Sequence, residues 1–138
     1  MTVGVLIVED EFLVRMEAVD SIEKNAELNG LKVNSIISDL FQKIEDKDFD
    51  FIVFNTPLID QVPESDVEKY SLCDPDGRIL GAFVREAGNH IKKSGLIIFS
   101  LCSNSAYEAM DGIGLKFRII ALELGASGFW RAIVGAQF

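Results

Sequence analysis

Short apolar runs alternate with segments of helical periodicity along this chain, and this alternation is the strongest constraint on its fold. The apolar runs predict five β-strands, at residues 3–8, 33–37, 49–54, 96–101 and 129–134. The segments between them predict helices at residues 11–28, 77–93 and 104–124, with a short helix after Ser38 or Asp39. Alternating strands and helices favour βαβ units and a parallel sheet covered on both faces. The sequence therefore predicts a single three-layer α/β domain over residues 1–138.

Three interruptions modify this simple pattern. Residues 56–76 contain three prolines, which disfavour a continuous helix, and we interpret this segment as an inserted loop. Gly112 and Gly114 fall inside the last predicted helix, so we expect a break there or two short helices. No helical pattern follows the fifth predicted strand, so the last helix is shortened or missing.

Polar side chains follow the first and third predicted strands. Glu9 and Asp10 come directly after the first apolar run, and Asn55 comes directly after the third. Because the carboxyl ends of parallel strands meet at one edge of a sheet, we expect these groups to share a site. Carboxylate and amide oxygens could hold a cation there, although the amide of Asn55 carries no charge.

Four stretches in this order, VLIVEDE, FDFIVFN, LIIFS and GASGF, give the chain a family resemblance. It resembles the response-regulator receiver domain, the phospho-accepting module of two-component signalling, over residues 3–133. The resemblance implies a flavodoxin-like, doubly wound, five-stranded parallel sheet of order 2-1-3-4-5. It also implies an acidic pocket at Glu9 and Asp10 and a phosphoacceptor position at Asn55. Switch positions are implied at Ser100 and Phe129, and a lysine position at Ala132, beside Arg131.

Two of these positions depart from the receiver pattern. The amide of Asn55 cannot form an acyl phosphate, and Ala132 supplies no positive charge, although Arg131 is adjacent. The resemblance therefore implies a degenerate pseudo-receiver that is not an enzyme and acts by binding a signalling kinase, phosphotransfer protein or output protein. We expect no cofactor, and weak or no Mg²⁺ binding by Glu9 and Asp10.

Three other hypotheses stay open, and an enzyme is the weakest of them, because no nucleophile–base pair is visible beyond the acidic residues. A flavodoxin-like domain could bind a small molecule at the same edge, although no glycine-rich phosphate loop follows a strand. Alternatively, Asn55 could be an engineered Asp-to-Asn change in a phospho-accepting receiver, although such a change would leave the lysine in place.

Composition adds expectations about location and partners. Thirteen basic residues against 22 acidic ones give a formal net charge of −9, which disfavours nucleic acid and anionic membranes as partners. With no signal peptide and no run long enough to span a membrane, we expect a cytoplasmic protein. The missing last helix would leave an apolar surface beside the fifth strand, and a homodimer would cover it. This surface comprises Phe129, Trp130, Ile133, Val134 and Phe138.

Overall fold

Five strands form one mixed sheet in the computed structural model, which describes residues 3–8 and 12–138. The strands are β1 (Val5–Val8), β2 (Phe49–Phe54), β3 (Ile91–Cys102), β4 (Lys116–Leu124) and β5 (Trp130–Gln137). The α-helices are α1 (Phe12–Leu28), α2 (Asp66–Ser71) and α3 (Arg78–His90). The spatial order of the strands is β1-β2-β3-β5-β4. β1, β2 and β3 run parallel, whereas β5 is antiparallel to both of its neighbours.

The prediction of a purely parallel, flavodoxin-like sheet of order 2-1-3-4-5 is wrong. An antiparallel strand, β5, lies between β3 and β4. The predicted helix at residues 104–124 contains β4 instead, because its second half is rich in the aromatic and β-branched residues that favour strands. The predicted strand at residues 33–37 does not form, and Val33, Ile36 and Ile37 are exposed.

The main core lies between α3 and the central strands. Because the apolar residues of α3 recur at helical spacing, one face of the helix is buried against β2 and β3. Phe83 is the centre of this core, with its ring centroid 4.6 Å from that of Phe54 and 6.2 Å from that of Phe99. Phe41, which precedes β2, completes the cluster at 5.8 Å from Phe83. The core therefore fixes the positions of β2 and β3.

The helix α3 passes directly into β3 with no loop between them. The sequence predicts a helix to residue 93 with Gly95 as its stop, but the helix ends at His90 and the strand begins at Ile91. Gly95 lies at a register shift between β2 and β3, where a Cβ atom would come within 2.9 Å of the Asp50 carbonyl oxygen. Glycine is therefore required there by close packing of two strands, not by the end of a helix.

An ion pair ties the start of β3 to β2 and to the residue before β1. The ammonium of Lys92 lies 2.9 Å from both carboxylate oxygens of Asp50, and the amide of Gly4 donates to the same carboxylate at 2.8 Å. The hydrogen bond from Lys92, and next the one from Gly4, lower the pKa of Asp50 below its ordinary value.

Gly77 provides a test of how tightly the amino end of α3 is packed. Its φ is +61°, and an added Cβ would meet the carbonyl oxygen of Ala106 and the Cβ of Ala109, each at 2.7 Å. We expect Gly77→Ala to lower the free energy of unfolding by about 3 kcal/mol, through the left-handed backbone and the overpacking together. Urea denaturation followed by circular dichroism measures the loss.

Gly112→Ala is the matched control, because Gly112 has a φ of +73° with nothing within 4 Å of an added Cβ. It should lower the free energy of unfolding by about 1 kcal/mol, the cost of the backbone conformation alone. Equal losses in the two variants would show that the contact of Gly77 with residues 106 and 109 is unimportant.

Candidate functional site

The carboxyl ends of the parallel strands meet at one edge of the sheet. β2 ends at Phe54 and is followed there by Asn55, while β3 ends at Cys102. The β4–β5 turn reaches the same edge, because Cys102 pairs with Arg131 and Leu124 pairs with Trp130. Open α/β sheets bind ligands at this edge, so we take it as the candidate site.

Asn55 is held at this edge by hydrogen bonds between β2 and β3. The Ser100 hydroxyl donates to Oδ1 of Asn55 at 3.3 Å, and the backbone N–H of Thr56 donates to the same hydroxyl oxygen at 3.2 Å. Thr56 is 3% exposed, and its hydroxyl donates to the carbonyl oxygen of Ser100. The buried Thr56 therefore fixes the backbone, while Asn55 itself is exposed to solvent.

The loops that follow β2 and β3 are tied to each other. The carbonyl oxygen of Leu58 accepts hydrogen bonds from the Ser105 hydroxyl at 2.8 Å and from the Cys102 thiol at 3.3 Å. The N–H of Asp60 donates to the carbonyl oxygen of Asn104 at 2.7 Å. These bonds join the loop after β2 to the end of β3 and to the loop that follows it, so they hold the two loops together.

An open cleft of about 360 Å³ lies between these two loops. Its lining is polar and includes the side chains of Asp60, Gln61, Asn104, Tyr107 and Glu108. Among the residues that the structure describes, no lysine or arginine lines it, so the cleft suits a neutral or cationic ligand better than an anionic one.

The structure brings together only some of the residues that the sequence predicts for the site. Asn55 and Ser100 are in contact, as described above. Phe129 lies with Arg131, whose guanidinium carbon is 5.6 Å from the ring centroid of Phe129. Ala132 is 4% exposed and pairs with Leu101 inside the sheet, so it is a core residue. The functional roles assigned to these residues stay predictions.

The predicted acidic pocket, Glu9 and Asp10, lies outside the described residues. Within residues 3–8 and 12–138, no group of three or more histidine, cysteine, aspartate or glutamate side chains is arranged to hold a metal ion. In the same part of the chain, no helix is long and apolar enough to cross a membrane.

Sequence reasoning missed Thr56 and the loop after β3. Thr56 looks like an ordinary loop residue, and its role depends on a buried contact with Ser100 that only the strand register reveals. A signal for the loop does exist, because three polar residues, Ser103, Asn104 and Ser105, directly follow the fourth apolar run.

Comparison with known proteins gives a consistent result. A family model described as "Methyltransferase small domain" matches residues 10–129. A putative protein N5-glutamine methyltransferase from Methanocaldococcus jannaschii is 33% identical over 85 residues, which are 58% of this chain and 43% of that protein. The chain therefore spans less than half the length of this curated relative.

Solved methyltransferase structures share the fold. The ribosomal protein L11 methylase from Lactobacillus delbrueckii subsp. bulgaricus superposes with a TM-score of 0.56 at 18% identity, covering 99% of this chain and 59% of that one. The T. thermophilus 16S rRNA N2 G1207 methyltransferase, solved with AdoMet and guanosine, gives a TM-score of 0.56 at 19% identity, covering 97% and 37%.

These matches overturn the receiver interpretation and what followed from it. The pseudo-receiver function and the prediction that the chain is not an enzyme are wrong, because the family model and the relatives are methyltransferases. The flavodoxin-like binder and the engineered receiver have no support either. The physical reason is that apolar strands ending in polar groups occur throughout parallel α/β proteins and do not specify one function.

The predicted signalling partner is also wrong. The relatives reported above are named for acting on protein or on RNA, and not for binding a signalling kinase, phosphotransfer protein or output protein. The predicted homodimer stays a prediction, since it rested on an uncovered sheet face beside the fifth strand. Of the residues predicted for this surface, Val134 is buried, Phe129 and Trp130 are half-buried, and Ile133 and Phe138 are exposed.

The fold, the family match over most of the chain, and the polar edge at Asn55 agree with one another. The sheet is a Rossmann-like mixed sheet with one antiparallel strand, as in the solved methyltransferases. On this basis the chain belongs to the methyltransferase small domain family.

Proposed function

We propose that this chain provides the acceptor-binding half of an AdoMet-dependent methyltransferase that modifies a side-chain amide nitrogen of a protein. The observation that carries the proposal is Asn55, an exposed amide held at the ligand-binding edge by Ser100 and by the buried Thr56. The M. jannaschii relative, named as a protein N5-glutamine methyltransferase, supports an amide acceptor.

An asparagine at this position suits an amide acceptor chemically. Oδ1 of Asn55 has two lone pairs, and the Ser100 hydroxyl uses one of them. The second lone pair can accept an N–H of the acceptor amide, and the Asn55 NH₂ can donate to the acceptor carbonyl. This pairing orients the acceptor nitrogen, which gains a methyl group and loses a proton in the reaction.

Charge favours a protein acceptor at this site. The chain has a formal net charge of −9, and Asp60 and Glu108 line the cleft formed by the two loops beside Asn55. A phosphate backbone would be repelled by these groups, whereas a neutral or basic peptide would not. We therefore place the peptide segment that flanks the acceptor amide in this cleft.

The residues of this chain do not fit AdoMet completely. The amino-acid end of AdoMet carries a carboxylate. Backbone N–H groups at a glycine-containing turn and a helix N-terminus would hold this carboxylate. Between β1 and α1, however, the sequence is Glu9-Asp10-Glu11, with three carboxylates and no glycine. In the described part of the chain, no glycine-containing turn leads from a β-strand directly into an α-helix. The described residues supply the acceptor-side groups named above, so we assign the acceptor side to this chain.

A methyl-transfer assay with labelled AdoMet tests the proposal. The reaction contains the chain and a glutamine-containing peptide. We expect one added methyl group on the glutamine side chain, located by mass spectrometry. A peptide with glutamate in place of glutamine is the control and should stay unlabelled. Equal labelling of both peptides, or label on lysine alone, would contradict an amide acceptor.

A further inference from the structure

The hydroxyl of Ser100, on β3, lies among three polar atoms of the segment that follows β2. The N–H of Thr56 donates to it at 3.2 Å, Oγ1 of Thr56 lies 3.2 Å away, and Oδ1 of Asn55 lies 3.3 Å away. The Thr56 hydroxyl also donates to the carbonyl oxygen of Ser100. Because Thr56 is buried and Asn55 is exposed, this network is anchored inside the protein and ends at a solvent-facing amide.

The donors in this network set its direction. The N–H of Thr56 can only donate, so Oγ of Ser100 accepts that hydrogen bond, and the Thr56 hydroxyl uses its hydrogen on the Ser100 carbonyl oxygen. The hydrogen of the Ser100 hydroxyl therefore needs an acceptor, and the structure gives it Oδ1 of Asn55. The Asn55 amide thus has its oxygen towards β3 and its NH₂ group turned away from Ser100.

This orientation matters because the oxygen and the nitrogen of an amide have opposite hydrogen-bonding roles. In the pairing described above, Oδ1 of Asn55 accepts the N–H of the acceptor amide, and the Asn55 NH₂ donates to the acceptor carbonyl. A half-turn of the Asn55 amide would exchange these roles, and the acceptor would then bind with its oxygen where its nitrogen must react. A misplacement of about 1 Å can already cost about 100-fold in rate, so the turned arrangement is unproductive.

We propose that Ser100 is a positioning residue, which fixes the orientation of the Asn55 amide and thereby presents the nitrogen of the acceptor amide, and not its oxygen, for reaction. This inference deepens the proposed function and rests on it. Ser100 acts through Asn55 and contacts no acceptor atom. The fixed amide selects an acceptor that offers an N–H and a C=O side by side, whereas a lysine amine has no carbonyl and gains only half of the pairing.

The competing arrangement has the Asn55 amide turned by a half-turn. Its NH₂ would then donate to Oγ of Ser100, and the Ser100 hydroxyl would donate to Oγ1 of Thr56, which lies 3.2 Å away. The same polar groups would again have partners. The two arrangements therefore differ in which end of the amide faces β3.

Nuclear magnetic resonance measures this orientation with no reaction taking place. The side-chain NH₂ signals of Asn55 are assigned by their loss in Asn55→Ala. We expect no strong nuclear Overhauser effect between these protons and the β-protons of Ser100. Ser100→Ala should shift the ¹⁵N resonance of the NH₂ group, because it removes the hydrogen bond to Oδ1. A strong Overhauser effect, or an unchanged resonance in Ser100→Ala, would overturn the proposal.

A double-mutant cycle tests whether Ser100 acts through Asn55. With the glutamine-containing peptide, Ser100→Ala should lower kcat/KM about tenfold, the equivalent of one neutral hydrogen bond. Ser100→Thr keeps the hydroxyl and should recover most of this loss. In the Asn55→Ala background, adding Ser100→Ala should change kcat/KM by less than about twofold, because the group that Ser100 positions is already absent. A further tenfold loss in that background would show a merely structural role and contradict the proposal.

Ser94→Ala is the matched control for Ser100→Ala. Ser94 is an exposed serine on the same strand, near its amino end and therefore away from the site. Its replacement should leave kcat/KM within about twofold of the unmodified chain. Equal losses in the two variants would show that a serine-to-alanine change anywhere in β3 has this effect, and the positioning role would be refuted.

Failure of this inference is distinguishable from failure of the proposed function. If the unmodified chain methylates no glutamine peptide, the amide methyltransferase is disproved, whereas the resonance measurements still decide the orientation of Asn55. If glutamine is methylated with full activity after Ser100→Ala, the positioning role is disproved and the proposed function stands.

Discussion

Replacement of Asn55 by alanine should lower kcat/KM for methyl transfer by about 100-fold to 1,000-fold, the usual effect of removing one preorganised hydrogen-bonding group. Asn55→Ala removes both the oxygen that would accept the acceptor N–H and the NH₂ that would donate to its carbonyl. Because Asn55 is exposed and its side chain accepts one hydrogen bond, from Ser100, the fold should be preserved. Steady-state assays with the glutamine-containing peptide measure the effect, and calorimetry should show unchanged AdoMet binding.

Asn89→Ala is the matched control for this variant. Asn89 is an exposed asparagine on α3, in the last turn before β3 and therefore near the amino ends of the strands, at the opposite edge of the sheet. Its replacement should leave kcat/KM within about twofold of the unmodified chain, as expected for a surface change away from the site. An Asn55→Ala variant with full activity would show that the acceptor binds elsewhere.

The second large effect concerns stability. Phe83→Ala should lower the free energy of unfolding by about 3–5 kcal/mol, because it removes a fully buried ring and leaves a cavity. The ring contacts Phe41, Phe54 and Phe99, so its loss would loosen both central strands. A domain of this size is stable by about 5–15 kcal/mol, so the variant should be close to unfolding. Urea denaturation followed by circular dichroism measures the change.

Val62→Ala serves as its control, because Val62 is 75% exposed in the loop after β2. It should change the free energy of unfolding by less than about 0.5 kcal/mol. If Phe83→Ala lost less than about 1 kcal/mol, the aromatic cluster would not be the main core of the domain.

The sequence predicted the position of several strands but not their directions. The run at residues 49–54 coincides with β2, and the run at 129–134 overlaps β5. Apolar runs identify buried strands because both faces are covered, but they contain no information on whether a strand is parallel or antiparallel. β5 runs antiparallel because it forms a hairpin with β4. The apolar spacing of β4 also fits a helix, so the sequence did not reveal this hairpin.

The candidate site was predictable in part. A polar residue after a buried parallel strand marks a ligand-binding edge, and this rule drew attention to Asn55. The contact with Ser100 depends on strand register, since Phe54 pairs with Phe99 and the next residues along each strand therefore lie side by side. The receiver interpretation treated Asn55 as a lost aspartate, whereas we propose that its amide binds the acceptor.

The direct passage from α3 into β3 has a consequence for motion at the site. With no hinge residue between His90 and Ile91, the helix cannot swing away while the strand stays paired. Ser100, on that strand, should therefore move only when the helix and the aromatic core come apart together, in a cooperative unfolding event. Smaller opening motions are left to the exposed parts of the loops after β2 and β3, since Thr56 is buried and Ala106 and Ala109 pack against Gly77. Entry and release of a ligand would therefore depend on the lifetimes of a few hydrogen bonds between these loops, above all those accepted by the carbonyl oxygen of Leu58.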